Sequence, residues 1–541
     1  MKLFSKTLRS IYKKTKNETN TASEELVSPE NTQLHLFTSL EENMSHIKKV
    51  LGNSSDIVIR PFKIGPHNEY KLSLVYTVGL VDSGQLQDLL ETLMYRFKPN
   101  DLDKSETGQP ASFIDSLKEK SVTVGEVDEV NNFPSLMGGV LSGKTIILVE
   151  GQSKGISVSI KGFEKRGVEE PQSATLIKGP RDGFNETLAT NIALIRRRIR
   201  SSNLWFESME IGRVTKTDVV IAYINGIANE DIIKEVQKRL KRIDIDGILE
   251  SGYIEELIQD ETYTPFPTVY STERPDSVAA KLLEGRIAIF VDGTPFVMVV
   301  PSLFIEFFQA SEDYYQRADI ATLLRVLRFF CFFIALLAPA FYISILTFHQ
   351  EMLPTHLLIG IAAQREGVPF PAFIEALMME VSFEVLREAG VRMPRAVGQA
   401  MSIVGALVLG QAAVQAGIVS PVMVIVVAIT AVANFCFPSI NMAISIRIIR
   451  FVMMSLAAAF GFFGVMFGLI ILVIHLSGLR SFGVPYTAPV APFILQEQKD
   501  VFVRVPWWGM FSRPRLISRK NVIREQNNPT PKTESRKGDN T

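Results

Sequence analysis

Three carboxylates, Glu380, Glu384 and Glu388, recur every fourth residue in AFIEALMMEVSFEVLREAG, so on a helix they share one face. Acidic groups aligned in an apolar segment suit a hydrated path that attracts cations or relays protons. An amphipathic helix at a membrane interface, its Glu face in water, accounts for the same spacing, and both readings stand. A second constellation is AVGQAMSIVGALVLGQAAVQAG (396–417), where Gln399, Ser402, Gln411 and Gln415 sit among Gly and Ala. Small residues let helices approach closely, and side-chain amides are costly against lipid. One helical face runs Val397, Val404, Val408, Gln411 and Gln415, which suits a pore with a hydrophobic constriction and a polar mouth. Ordinary small-residue packing with interhelical amide hydrogen bonds is the alternative.

Other chemistry is harder to find. GGVLSGKT (138–145) matches the phosphate-loop pattern, but such a loop must follow a strand and open a helix. Here TIILVEG after Lys144 is strand-like, and the parallel segment LLEGRIAI has Arg286 in place of Lys144. Nucleotide binding is not expected. The six histidines are scattered and the two cysteines, Cys331 and Cys436, lie in apolar segments without close partners, so neither a metal centre nor a disulfide framework is expected. No Gly-x-Ser-x-Gly elbow is present. The expectation is a non-enzyme without cofactors and without a nucleic-acid partner.

The elements that position the carboxylates and amides are membrane helices. Phe329 to Phe348 is twenty uncharged residues behind Arg325 and Arg328, enough at about 1.5 Å per residue to cross the roughly 30 Å hydrocarbon core. The 51 residues 396–446 lack any Asp, Glu, Lys or Arg, and Gly417, Ser420 and Pro421 divide them into spans at about 396–417 and 421–445, closed by Arg447 and Arg450. Phe451 to Leu479 is a further uncharged run, giving a span at about 451–477. Between the first span and Arg392, LLIGIAA is too short to cross and QREGVPFP breaks the helix, so 357–390 reads as an interrupted fifth crossing. An odd count would place the basic C-terminal tail outside, against the preference of Lys and Arg for the cytoplasmic side. That conflict stays open at the level of sequence.

The first half reads as water-soluble α/β structure with an internal repeat. LVYTVGLVDSGQLQDLLETLM (74–94) parallels IAYINGIANEDIIKEVQKRL (221–240), and VLSGKTIILVEG parallels LLEGRIAIFVDG. From Tyr to final Gly the separations are 75 residues (Tyr76 to Gly151) and 70 (Tyr223 to Gly293). Order and spacing are kept, so two related α/β subdomains are expected in tandem, at 34–165 and 205–320, followed by a helical transmembrane domain of four to five spans at 321–480. The linker 166–204 carries a helix from about 186 to 200, capped by Asp182 or Asn185. Its run Arg196, Arg197, Arg198 and Arg200 reads as a solvated face, with a subunit or lipid contact as the alternative. The arm 1–33 and tail 513–541 are basic and polar and read as disordered, with 481–512 a Pro-rich segment between membrane and tail. The first twenty residues are basic without a following apolar stretch, so no secretory signal is expected, and the soluble half is placed in the cytoplasm.

Several long blocks agree in order with one family. KGPRDGFNETLATNIALIRRRI, PFPTVYSTERPDSVAAKLLEGRIAIFVDGTPFVMVVPSLF, SEDYYQR with RFFCFFIALLAPAFYISILTFHQEMLPT, and GVPYTAPVAPF resemble the A subunits of GerA-type spore germinant receptors, over about residues 35–512. The resemblance implies a multi-pass protein of the spore inner membrane, with a transporter-like B subunit, a lipoprotein C subunit and membrane lipids as partners. It also implies a homo-oligomer, a pentamer, forming a nutrient-gated channel that releases cations at the start of germination. On that basis Val404 and Val408 become gate candidates, with Gln399, Ser402, Gln411 and Gln415 as pore or packing positions. An A-like accessory subunit of the spore dipicolinate release channel is the competing role.

Overall fold

The computed structural model describes residues 34–65, 70–95, 126–162, 170–171, 176–392, 410–518 and 521–524. The chain divides into two units: residues 1–259, 269–301 and 507–541 form the first, and residues 260–268 and 302–506 the second.

In the first unit, α1 (Leu40–Val50), β1 (Ile57–Ile64), β2 (Tyr70–Thr77), α2 (Ser83–Tyr95), β3 (Glu126–Val130), α3 (Phe133–Leu141), β4 (Thr145–Val149) and β5 (Gly155–Ser159) build a sheet of order β1-β2-β4-β5-β3. Every pairing is antiparallel. The unbroken apolar run of β4 follows from burial on both faces. Ile146 and Leu148 join α1 and α3 in one core, with Ile47, Leu136 and Val140. Ile147 and Val149 join the Leu89 and Leu93 side of α2 in the other. Pro61 is tolerated because β1 lies at the sheet edge.

The same plan recurs. After α4 (Leu188–Arg198) come β6 (Leu204–Ile211), β7 (Thr217–Ile224), α5 (Glu230–Lys241), α6 (Ser251–Ile258), β8 (Tyr270–Thr272), α7 (Pro275–Leu283), β9 (Ile287–Val291) and β10 (Val297–Val300), ordered β6-β7-β9-β10-β8. The two segments that read alike in sequence are strand, turn and helix in both sheets. GGVLSGKT runs from helix α3 into strand β4, and Lys144 is engaged by Asp128 at 2.6 Å.

The basic run of α4 is solvated in part: Arg197 and Arg200 are exposed, as the charge run implied, and Arg198 is half-buried, but Arg196 corrects that reading. Arg196 is fully buried: Nε and Nη2 donate to the two oxygens of Asp56 at 2.8 and 2.9 Å, and Nη1 donates to Ser201 O at 3.0 Å. Ser54 Oγ donates to Asp56 at 2.6 Å and accepts from Phe206 N at 2.9 Å, so the cluster joins the two repeats. Arg198 grips Asp182 with both carboxylate oxygens. The expected caps are otherwise employed, since Asp182 holds Arg198 and Asn185 exchanges hydrogen bonds with Asn191. Thr187 stands at the helix start.

One carboxyl of this unit is protonated more readily than usual. Burial pushes Glu255, on α6, up to about 7, and the neighbouring Glu250 charge adds to the shift. The folded value lies above the ordinary value of 4.5, so the fold holds a proton the unfolded chain has released. Its stabilising contribution is complete below about 4.5 and is lost as pH rises towards 7. The thermal midpoint of the detergent-solubilised chain should therefore fall over that interval, and Glu255→Gln should flatten this part of the profile. An unchanged profile in the variant would refute the assignment.

The second unit begins with two short 3-10 turns, Phe304–Phe308 and Ser311–Tyr314, and then α8 (Ala318–Phe348), which runs continuously through Pro339. α9 (Thr355–Arg365), α10 (Ala372–Arg392), α11 (Gly410–Gln415), α12 (Pro421–Asn434) and α13 (Ile440–Gly478) follow, with a small ladder of β11 (Arg480–Ser481) and β12 (Val484–Pro485). Among the described residues, α8 and α13 are long and apolar enough to cross a membrane, and α12 is a shorter apolar helix.

Two boundaries differ from the sequence reading. The helix expected over 421–445 stops at Asn434, and a break containing Pro438 separates it from Ile440, where α13 begins. Pro in this position removes a helical hydrogen bond and clashes with the preceding turn. α13 is also not straight. Gly461 has φ 59° and ψ −142°, a conformation open chiefly to glycine. A methyl on Gly468 would lie 2.7 Å from Met453 Sδ, although a straight helix would set residues so far apart in sequence roughly 22 Å apart. Ser445 Oγ donates to Pro265 O, and His475 Nε2 lies 2.9 Å from Thr264 Oγ1, so both ends of α13 meet one loop. α13 is a hairpin with its tip at Gly461, beside Phe348 at the end of α8.

Candidate functional site: paired charges among the apolar helices

The carboxylates of α10 face the first arm of α13. Glu380 is fully buried, with Oε2 3.2 Å from Nη1 of the equally buried Arg450. None of the side-chain nitrogens of Arg450 or oxygens of Glu380 is in hydrogen-bonding alignment, so the two meet as charges rather than as an aligned fork. Glu384 accepts from Arg447 at 2.6 Å and from Arg387 at 3.2 Å, and its other oxygen lies 3.8 Å from Arg450. Glu388 is exposed and pairs with Arg392 on its own helix. The four-residue spacing thus places Glu380 and Glu384 on the helix-facing side, with partners that lie later in the chain. Glu380 beside Arg450 and Glu384 beside Arg447 set α10 antiparallel to the first arm of α13.

Arg447 and Arg450 are not the basic flank of the 421–445 span that their place after an uncharged run suggested: both are buried and paired. The break before Ile440 carries them into the unit, where they neutralise Glu384 and Glu380. Four further charges escaped the sequence reading. Glu375 is fully buried and saturated, with Oε1 accepting from Arg365 at 2.8 and 3.1 Å. Its Oε2 accepts from Ser420 N at 3.0 Å and Oγ at 2.9 Å. Ser420 is itself the N-cap of α12, and Tyr342 Oη lies 3.3 Å from its hydroxyl. At the start of α8, Asp313 accepts from Arg325 at 3.3 Å and Arg328 at 2.7 Å, while Asp500 accepts from Arg325 at 2.8 Å. A charge inside an apolar stretch was the available signal for Glu375. For Asp500, 175 residues from Arg325, no local signal existed.

Of the pore candidates, Gln399, Ser402, Val404 and Val408 lie outside the described residues. Gln411 and Gln415 are exposed on the short helix α11. Among the described residues no group of three or more His, Cys, Asp and Glu is placed to hold a metal ion. The arrangement can fix helix register and place charges of both signs inside an apolar bundle.

Tandem α/β repeats followed by apolar helices bearing buried ion pairs define a two-unit protein, two of whose described helices are long and apolar enough to cross a membrane. Residues 45–516 match the family described as Bacillus/Clostridium GerA spore germination protein. Spore germination protein KA of Bacillus subtilis (strain 168) is 51% identical, over 92% of this chain and 90% of that one. Spore germination protein B1 of the same organism is 38% identical over 91% of this chain and 100% of that one. The membrane protein YfkQ, also of that organism, is 45% identical over 93% and 96%. The crystal structure of the N-terminal domain of the A subunit of the Bacillus megaterium spore germinant receptor GerK3 is 47% identical, covering 50% of this chain and 98% of that one, with a TM-score of 0.40. The chain belongs to the GerA family of spore germination proteins.

Proposed function

We propose that this chain is the A subunit of a nutrient-responsive germinant receptor in the spore inner membrane. It assembles with copies of itself, as a pentamer, and with a transporter-like B subunit and a lipoprotein C subunit, into a ligand-gated channel that releases cations. The family match over nearly the whole chain carries the receptor reading. The channel reading rests on the amide- and valine-bearing stretch 396–417 following directly on the charged helix α10.

The same reading gives a topology of six crossings. The described residues 507–518 and 521–524 belong to the same unit as the α/β repeats, so in this reading the chain leaves for the helices after Pro301 and returns to the same side. That requires an even number of crossings. α8, α10, the stretch 396–417, α12 and the two arms of α13 supply six. The antiparallel pairing of α10 with α13 and the placement of Ser420 beside Tyr342 support this sequence of directions. The soluble unit and the tail then share the cytoplasmic side, in keeping with the basic tail.

The test is Val404→Ala and Val408→Ala. Trimming a hydrophobic constriction should let it wet, and spores carrying either variant should leak cations or germinate without nutrient. Normal dormancy and normal germination in both would remove the gate assignment. A deletion that abolishes one nutrient response and spares the others supports the receptor role. Loss of dipicolinate release under every trigger supports the accessory role instead.

A further inference from the structure

In the first repeat β5 runs on into residues 160–162, which close over the turn after β2. Asp82 N donates to Ile160 O at 3.0 Å, Gly162 N donates to Leu80 O at 3.2 Å, and Val81 pairs with Lys161. In the second repeat the equivalent strand, β10, ends at Val300, and after Pro301 the chain departs for the second unit. The closing piece is therefore missing from its expected place in the sequence.

The C-terminal segment fills the position. Ile227 follows Gly226 as Leu80 follows Gly79, and the two glycines have φ of 79° and 78°. Where Leu80 O takes its hydrogen bond from Gly162, Ile227 O takes one from Ser518 Oγ at 2.8 Å. Gly285 stands where Gly143 stands in the first repeat. A methyl on Gly143 would lie 2.8 Å from Leu80 O, and one on Gly285 would lie 3.0 Å from Ile227 O and 3.1 Å from Ser518 Cβ. Arg513 Nε donates to Leu283 O at 2.8 Å, and Ile517 and Ser518 are fully buried. The segment arrives folded: Arg513 N donates to Val522 O at 2.7 Å, Arg524 N to Phe511 O at 2.8 Å, and Ser512 pairs with Ile523.

We propose that the slot between Ile227 and Gly285 is a peptide-binding site whose ligand is the C-terminal segment of the same chain, through its described residues 511–518 and 521–524, held as a releasable strap. The strap follows the last apolar arm in the chain, and its seating on the second repeat is needed for the response to nutrient. This consequence rests on the receptor reading; the binding itself does not. Where the first repeat is closed by backbone hydrogen bonds, Arg513 and Ser518 hold the strap through their side chains, which is why the strap can leave without unfolding the repeat.

The chain truncated after Pro506, in detergent micelles, is titrated with a synthetic peptide of residues 507–524. Saturable binding, weakened at least tenfold when the peptide carries Arg513→Ala and Ser518→Ala, is expected. Absent binding, or equal binding by both peptides, overturns the site. Hydrogen exchange on the full-length chain with the same two substitutions guards against misfolding of the truncated form. Amides 226–228 and 283–287 should exchange at least tenfold faster while β4 is unchanged, and unaltered exchange overturns the proposal. In spores the double variant should keep normal abundance and lose its nutrient response. A normal response despite faster exchange overturns the coupling role, whereas a normal response in a strain lacking the whole chain tells against the receptor reading instead.

Discussion

Arg196→Met is expected to destabilise the α/β unit by about 3–5 kcal/mol, because it leaves Asp56 charged and buried without its cation, with Ser54 Oγ still donating to it. Arg196 contributes a bidentate pair to Asp56, a bond to Ser201 O and a face over the Phe206 ring at 4.9 Å. All of these are lost together, and they are the contacts through which α4 ties the first repeat to the second. Asp56→Asn in the same background removes the stranded charge and should recover a large part of the loss. The measurement is the thermal midpoint of the solubilised chain, with membrane abundance as a second readout. A single variant as stable as the parent would show that Arg196 is solvated, as the charge run alone implied.

Arg450→Met and Glu380→Ala are each expected to destabilise by about 3–5 kcal/mol, Glu380→Ala toward the lower end. For Glu380→Ala the lower end follows from Glu384, whose second oxygen is already 3.8 Å from Arg450 and can take over part of the pairing. Arg450→Met leaves Glu380 buried without a cation and is the more costly of the two. The double variant Glu380→Leu with Arg450→Met should be as stable as the parent or more so. The native pair lacks aligned hydrogen bonds, and apolar side chains of similar volume avoid the desolvation both ions suffer. A stable double variant whose spores respond poorly to nutrient would separate a working role for the charges from a structural one. If Glu380→Ala alone is harmless, Arg450 is not held where the structure places it.

Much of this architecture is legible from the chain. The repeat is visible because its turns need glycine at matching places, Gly79 with Gly226 and Gly143 with Gly285, and because β4 and β9 are apolar on both faces. The run Phe329 to Phe348 is visible because bilayer length is a property of consecutive residues. What escapes is whatever depends on partners far along the chain. The burial of Arg196 is set by Asp56, 140 residues earlier, so a local reading of four arginines holds for the exposed Arg197 and Arg200 and fails for Arg196. The same holds for Arg450, which follows an uncharged run like a flanking cation and is instead matched by Glu380. The hairpin at Gly461 leaves almost no trace, because an apolar helix and an apolar helix that doubles back have the same composition. Only Gly461, Gly464 and Gly468, where the arms approach closely, hint at it. Of the candidate pore, Val404 and Val408 with Gln399 and Ser402 fall in 393–409, outside the described residues.

The place of Ser518 in the second repeat bears on how the protein is made. When the ribosome has finished β10, the soluble unit is still incomplete, because its closing segment is more than two hundred residues away. At about 5–20 residues per second, roughly ten to forty seconds of synthesis separate the two. In the proposed six-crossing topology all the apolar helices emerge in that interval and insert before the C-terminal segment returns. Completion of the soluble unit is therefore a readout of successful insertion. A chain whose helices stall on the wrong side leaves Ile227 and Gly285 uncovered, and that exposed slot is a natural mark by which quality control could recognise it.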